Sequence, residues 1–111
     1  MARPSAAEDV FRAVADPTRR AALTALRERQ ELAVGELAER LDVGMPALSR
    51  HLAVLRAAGL VTEQRSGRHR LYRLTPEPLR ELYDWAAVFS EFWTGRVDNL
   101  RAYLDRTHSE E

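Results

Sequence analysis

Val34 to Ala53 reads VGELAERLDVGMPALSRHLA, and this stretch decides the fold. Val34, Leu37, Ala38 and Leu41 recur at helical spacing and share one face. Asp42-Val43-Gly44 interrupts that pattern. Leu48, Leu52 and Leu55 then mark the apolar face of a second helix. Ala38 is small where two crossing helices touch, and Val43 is apolar inside the turn, where it can plug the gap. This is a helix-turn-helix pattern, whose second helix can enter the DNA major groove. Met45, Pro46, Ser49, Arg50 and Ala53 fall on the outward face of that helix. An ordinary helical hairpin with a solvated polar face shares the pattern, so the flanking sequence must discriminate.

Downstream, the second helix should end at Ala58, because Gly59 suits the position just past a helix. LVTEQRSGRHRLYRL follows, with Ser66-Gly67 as a two-residue turn between β-prone runs at about Leu60–Arg65 and Arg68–Leu74. A basic hairpin directly after a recognition helix is a wing; the plainer reading is a structural hairpin. Arg65, Arg68, Arg70 and His69 lie at or beside its tip, a charge density suited to tracking phosphate. Thr75-Pro76 should start the last helix, with Thr75 as cap. Leu79, Leu82, Ala86, Phe89, Trp93, Val97, Leu100 and Leu104 carry its apolar face across 76–106, about 40 Å at about 1.5 Å per residue. Trp85, Val88 and Phe92 add a second apolar side. Such a helix must be covered twice, and an identical helix from a second chain is the economical cover; the alternative is monomer core.

Upstream, Ser5-Ala6-Ala7-Glu8 has capping-box spacing and starts a helix at Ala6 that buries Ala7, Val10, Phe11 and Val14. Asp16-Pro17 starts a second helix that runs to about Arg29 and buries Ala22, Leu23 and Leu26. Arg19 and Arg20 sit in its first turns, where cations oppose the helix dipole; they are solvated, paired with acids, or approach phosphate. Gln30–Ala33 is a short connector with room for a few residues of strand. The chain is thus mainly α with a small β-hairpin, in the order α-α-α-α-β-β-α. Its 111 residues suffice for one domain over 1–111.

Formal net charge is zero, but the distribution is uneven. From Pro46 to Thr75, Arg50, Arg56, Arg65, Arg68, Arg70 and Arg73 stand against Glu63 alone, a net charge of +5. A basic second helix and hairpin on a neutral chain point to a local polyanion footprint. All 17 basic residues are arginine, so arginine carries no special meaning at any one site. There is no cysteine, hence no disulfide, thiolate metal site or cysteine nucleophile. The N-terminus has no apolar signal region, and no run approaches the roughly 18 apolar residues of a membrane span. A cytoplasmic protein without membrane partner or cofactor is expected.

Taken together, the chain resembles the ArsR/SmtB family of bacterial transcriptional repressors over nearly its whole length. The resemblance is carried by Ala15-Asp16-Pro17-Thr18-Arg19-Arg20, Val34-Gly35-Glu36-Leu37-Ala38 and Ser49-Arg50-His51-Leu52-Ala53-Val54-Leu55. Ala58-Gly59-Leu60-Val61, the wing around Gly67 and Tyr72-Arg73-Leu74 complete it. It implies a winged-helix homodimer, paired through its first and last helices, that represses transcription from a palindromic operator. The interface residues would be Val10, Val14, Trp85, Phe89, Phe92, Trp93 and Leu100. Metal-sensing relatives place thiolates where Ala33 and Gly35 stand, or Asp and His pairs on the last helix. That helix offers Asp84, Asp98 and Asp105, with only His108 nearby, so no metal site is expected. Asp42 also stands where a glycine is common, and Gly44-Met45 where polar residues often begin the second helix, so base preference does not transfer.

The residues themselves place double-stranded DNA first as partner. Ser49 and Arg50 are the best base-edge readers, since Arg can pair bidentately with guanine. Met45 and Pro46 suit thymine methyls. Arg65, Arg68 and Arg70 hold phosphate or reach the minor groove, and Arg56 is a phosphate or surface residue. His51 faces inward, towards an interhelical hydrogen bond. The alternative is a winged-helix module that binds protein. An enzyme is the weakest reading, because Ser49 and His51 point in different directions on one helix. The sequence names no small-molecule effector; the aromatics Trp85, Phe89, Phe92 and Trp93 are the one sizeable apolar surface for one.

Overall fold

The computed structural model describes residues 6–93. Ala6–Ala13 forms α1 and Pro17–Arg29 forms α2. Asp16 starts α2 as the sequence predicts: its carboxylate accepts from the Arg19 N–H at 3.0 Å, and Pro17 takes the first helical position. Among the described residues Arg19 and Arg20 form no ion pair with an acid; both donate to backbone carbonyls, Arg20 while still exposed. Arg19 donates through Nε to the Ala13 carbonyl (2.7 Å) and through Nη2 to that of Arg12 (3.0 Å). Arg20 donates through Nη1 to the Val14 carbonyl at 2.8 Å. These carbonyls lie at and just beyond the end of α1, where helix geometry leaves carbonyls short of partners; that of Arg12 also accepts from the Ala15 N–H at 3.2 Å, and both guanidiniums cap the preceding helix.

Glu31–Ala33 is a strand, β1, and Val34–Leu41 forms α3, whose Glu36 carboxylate accepts from the Ala33 N–H at 3.0 Å. Met45–Ala57 forms α4. Between α3 and α4, Asp42 takes the left-handed conformation (φ 53°, ψ 50°) that glycine usually fills. Aspartate tolerates it because its short polar side chain can bond locally. α4 ends in a Schellman arrangement: Leu60 N–H reaches the Leu55 carbonyl and Gly59 N–H that of Arg56, both at 3.0 Å, with Gly59 at φ 75°.

Val61–Ser66 (β2) and His69–Leu74 (β3) form the hairpin. The turn residues are Gly67 and Arg68 rather than Ser66 and Gly67, because Ser66 pairs with His69 and closes the ladder. Gly67 supplies the positive φ, 62°, that a two-residue turn needs at its first position. β1 pairs with the other edge of β3, giving an antiparallel sheet in the order β1-β3-β2. The final segment departs from one continuous helix. Glu77–Leu79 is a single 3-10 turn and Arg80–Ala87 forms α5, with no side chain capping either. Pro76 and Pro78 lack an N–H and disfavour helix at the residue before them, so regular helix begins only after both. Thr75 instead ties its N–H to the Leu60 carbonyl at 2.7 Å. Helical residues resume at 90–93 after a tight turn in which Phe89 N–H bonds the Ala86 carbonyl at 3.0 Å. Ser5 and the expected helix beyond 93, Leu100 included, lie outside the described residues.

One core joins these elements. Leu26 of α2, Leu37 of α3, and Leu48, Leu52 and Leu55 of α4 meet Val10, Leu60, Val61 and Tyr72, all almost fully buried. Each such leucine contributes about 1.5–3 kcal/mol by leaving water. Val43 packs against this cluster from within the turn. α4 is therefore fixed along one whole side, and its other side is left free.

Candidate nucleic-acid interface

The free side of α4 carries the residues singled out from sequence. Met45, Pro46, Arg50 and Ala53 are exposed, and Ser49 is half-buried. His51 lies on the inner side, where its Nδ1 is 3.2 Å from Arg19 Nη1 and 3.8 Å from Asp16 Oδ2. The Asp16 carboxyl is held below its ordinary value chiefly by the Arg19 N–H; partial burial opposes this, and His51 and the Arg19 guanidinium help it. The arginine that caps α1 therefore also touches α4.

The hairpin has two faces of different character. Val61, Glu63 and Arg65 alternate on one face of β2, opposite Leu74, Tyr72 and Arg70 of β3. Burial along this face falls from root to tip: Val61 and Tyr72 are buried, Glu63 and Arg70 half-buried, Arg65 exposed. Arg68 and His69, at the turn, are exposed. Ser49, Leu52, Ala53 and Arg56 of α4 share a small cleft with Glu63, Arg70 and Tyr72. The recognition-helix side and the wing face thus form one surface with a crease between them.

The side chains of Arg50, Arg65 and Arg68 make no hydrogen bond or ion pair among the described residues. Arg56 and Arg70 differ from the free cations expected of them, because both are bound to Glu63. Arg56 Nη1 lies 2.7 Å from Glu63 Oε2, and Arg70 Nε lies 3.3 Å from Oε1, near enough for ion pairing but off the line of a hydrogen bond. The Tyr72 hydroxyl donates to Glu63 Oε2 at 3.1 Å and accepts from Arg70 Nη2 at 2.8 Å. Burial pushes the Glu63 carboxyl up, but the Tyr72 hydroxyl and the charges of Arg70, Arg56 and Arg65 outweigh it and hold the group below its ordinary value. Arg73 is engaged as well, 2.7 Å from Glu31 across the β1–β3 pair. Three of the six arginines of the basic block are thus engaged, two of them by the single carboxylate of Glu63 and one by Glu31. The sequence signal for this was Glu63, the lone acid in the block; which arginines it takes depends on strand register.

A second surface lies on α1 and α5. Phe11 meets Trp85 edge-on at 5.7 Å between ring centroids, and Trp85 meets Phe89 at 5.3 Å. Trp85 (58% exposed), Val88 (72%), Phe92 (71%), Phe89 and Trp93 leave much apolar area in water. Val14 is half-buried and packs against the core. Val10 does not belong to this surface: at 1% exposure it fills the core of its own chain and has nothing to offer a partner. Among the described residues no group of three or more potential metal ligands gathers. No helix there is long and apolar enough to cross a membrane.

Comparison with known proteins places this architecture. The family model for bacterial regulatory proteins of the arsR family matches residues 16–63, from the α2 cap to the middle of β2. The HTH-type transcriptional repressor SmtB of Mycobacterium tuberculosis is 47% identical over 77 residues, covering 69% of this chain and 56% of that protein. The chain thus spans a little over half the length of that relative. The arsenical resistance operon repressor of Escherichia coli is 36% identical over 96 residues, covering 86% of this chain and 79% of that one. Among solved structures, the ArsR family transcriptional regulator RHA00566 superposes with a TM-score of 0.70 at 35% identity, covering 85% of this chain and 97% of that one. These relatives are named as regulators of transcription rather than as enzymes. With helix-turn-helix, wing and relatives agreeing, the chain belongs to the arsR family of bacterial regulatory proteins, a family of winged helix-turn-helix transcriptional regulators.

Proposed function

We propose that this chain is a sequence-specific repressor that binds double-stranded DNA as a homodimer in the cytoplasm. The observation that carries this is the continuous surface made by the free side of α4 and the wing, with the side chains of Arg50, Arg65 and Arg68 making no hydrogen bond or ion pair among the described residues. α4 enters the major groove, where Ser49 and Arg50 contact base edges and Met45 and Pro46 meet thymine methyls. Arg65 and Arg68 hold the adjacent backbone, which positions the reading helix without specifying sequence. Residues 1–111 act as one unit, and the segment from 76 onward pairs the subunits. The exposed aromatics of α5 and the residues just after it, with Phe11 edge-on to Trp85, support that pairing, since an apolar surface of this kind on a small chain marks an interaction site. A two-fold dimer sets two reading helices on a palindrome.

The test is a mobility-shift titration on DNA from upstream of the chain's own gene, with random duplex as competitor. A protected site that survives competition, with affinity falling steeply with salt, is the expected result. Retention by no duplex at any salt concentration would leave the wing as a protein-binding surface instead.

A further inference from the structure

The half-buried cluster in the crease between α4 and the wing does more than hold two elements together. Glu63 is 16% exposed at its side chain, and both of its carboxylate oxygens face arginine. Tyr72, 2% exposed and directly opposite on β3, anchors the carboxylate from below through its hydroxyl. Arg70 is fixed twice more, by its bond to the same hydroxyl and by lying 5.9 Å from the Tyr72 ring centroid. Arg56, with 59% of its side chain exposed, is closed onto Oε2 at 2.7 Å. Two cations beside the reading face are thus already coordinated by an anion of the protein.

We propose that Glu63 is a positioning residue that stands in for a DNA phosphate. It keeps Arg56 and Arg70 in the crease, so that phosphate is neutralised only by the arginines on either side of it, Arg50, Arg65 and Arg68. The inference deepens the DNA-binding reading and rests on it. Moving both arginines onto DNA would strand a half-buried carboxylate beside the phosphate backbone, which costs both desolvation and repulsion. The consequence is specificity. Phosphate contacts raise affinity for every sequence alike, and a regulator is limited by the ratio of specific to non-specific binding. Glu63 lowers the non-specific share while leaving the base-reading residues of α4 in place.

The experiment is a fluorescence-anisotropy titration of a labelled random-sequence duplex between about 50 and 200 mM salt, with each variant first checked for a cooperative thermal melt. Arg68→Ala should flatten the slope of log affinity against log salt by about 0.9 per protomer bound. Arg56→Ala in the otherwise native chain should leave that slope unchanged. Glu63→Gln, which keeps the shape and removes the charge, should steepen it by about 0.9 per arginine released. The affinity lost over that salt range then grows about 3.5-fold per released arginine. Arg56→Ala added to Glu63→Gln should take back one such step. A Glu63→Gln slope equal to or shallower than native overturns the proposal. So does an Arg56→Ala chain that loses as much slope as Arg68→Ala, a comparison that decides the matter even where Glu63→Gln does not fold. A native chain with no salt-dependent affinity for DNA overturns the DNA-binding reading itself, an outcome separate from these.

Discussion

Arg50 is the residue on which sequence discrimination should turn. It is exposed on α4 and its side chain makes no ion pair or hydrogen bond among the described residues, so truncating it leaves no partner behind. Arg50→Ala should cost about 1–3 kcal/mol of operator affinity and leave the melting temperature unchanged. An unaltered mobility-shift isotherm would refute that role. Gly59 is the opposite case, a residue whose weight is purely conformational. A Cβ there would meet its nearest atom, Pro78 Cγ, at an ordinary 3.7 Å, so space is not the obstacle. Its φ of 75° is the obstacle, since the left-handed region costs an alanine about 1–2 kcal/mol. Gly59→Ala should therefore lower the urea midpoint of unfolding while preserving operator affinity in the folded fraction. A midpoint equal to the native one would show that the turn relaxes.

Among elements, the joints are more informative than the helices. α1 and α2 are tied by Arg19 and Arg20 donating to carbonyls at the end of α1, and α2 meets α4 through Asp16, Arg19 and His51. α4 meets the hairpin through Glu63. Both carboxylates at these joints have their folded-state values lowered, Asp16 from 3.8 and Glu63 from 4.5. A lowered value means stability that is fully present above the ordinary value and lost as pH falls through the folded one. The urea midpoint should thus stay level from neutrality down to about pH 5 and fall progressively below the ordinary 4.5 of glutamate. Glu63→Gln removes one of the two contributions, so its midpoint should fall less over the same acid range. Superimposable acid profiles for the two proteins would show that Glu63 adds nothing through its charge.

At the scale of the whole molecule, two expectations concern what joins the chain from outside. The exposed aromatics of α5 and of residues 88–93 should be covered by a second subunit. Phe92, 71% exposed, can accept a charge in the isolated chain but not in an apolar interface. Phe92→Asp should give monomer or aggregate by light scattering and lose operator binding, whereas a native chain that is monomeric at micromolar concentration defeats the dimer. Soft metals are the other outside partner to test. The chain has no cysteine, and its histidines are His51, His69 and His108. His51 is occupied by α2 and His69 lies at the wing tip, so they do not supply a clustered donor set. Zinc, cadmium and arsenite should not release operator DNA. The check is a competition titration against a chelator of about nanomolar zinc affinity; stoichiometric capture coupled to DNA release would reverse the reading.

The sequence by itself determined the elements that local chemistry specifies. Apolar spacing set α3 and α4, Asp16-Pro17 set the start of α2, Gly59 the end of α4, and Gly67 the presence of the hairpin. These depend on residues a few positions apart, whose interactions are the same in any fold. Tertiary structure decided what depends on distant residues meeting. The caps of α1 come from Arg19 and Arg20 on the next helix, and β1 exists because β3 offers it an edge. Val10 turned from interface candidate to core because α1 packs with that side inward. Thr75-Pro76 marks a helix start in sequence, but Pro78 follows so closely that regular helix begins only at Arg80. The division of the basic block is the clearest case. In sequence nothing tells which arginines Glu63 takes; in the fold, register sets Glu63 opposite Tyr72 and diagonal to Arg70, and packing brings Arg56 to it. A carboxylate can neutralise only the cations its neighbours in space present, and one-dimensional spacing does not contain that information.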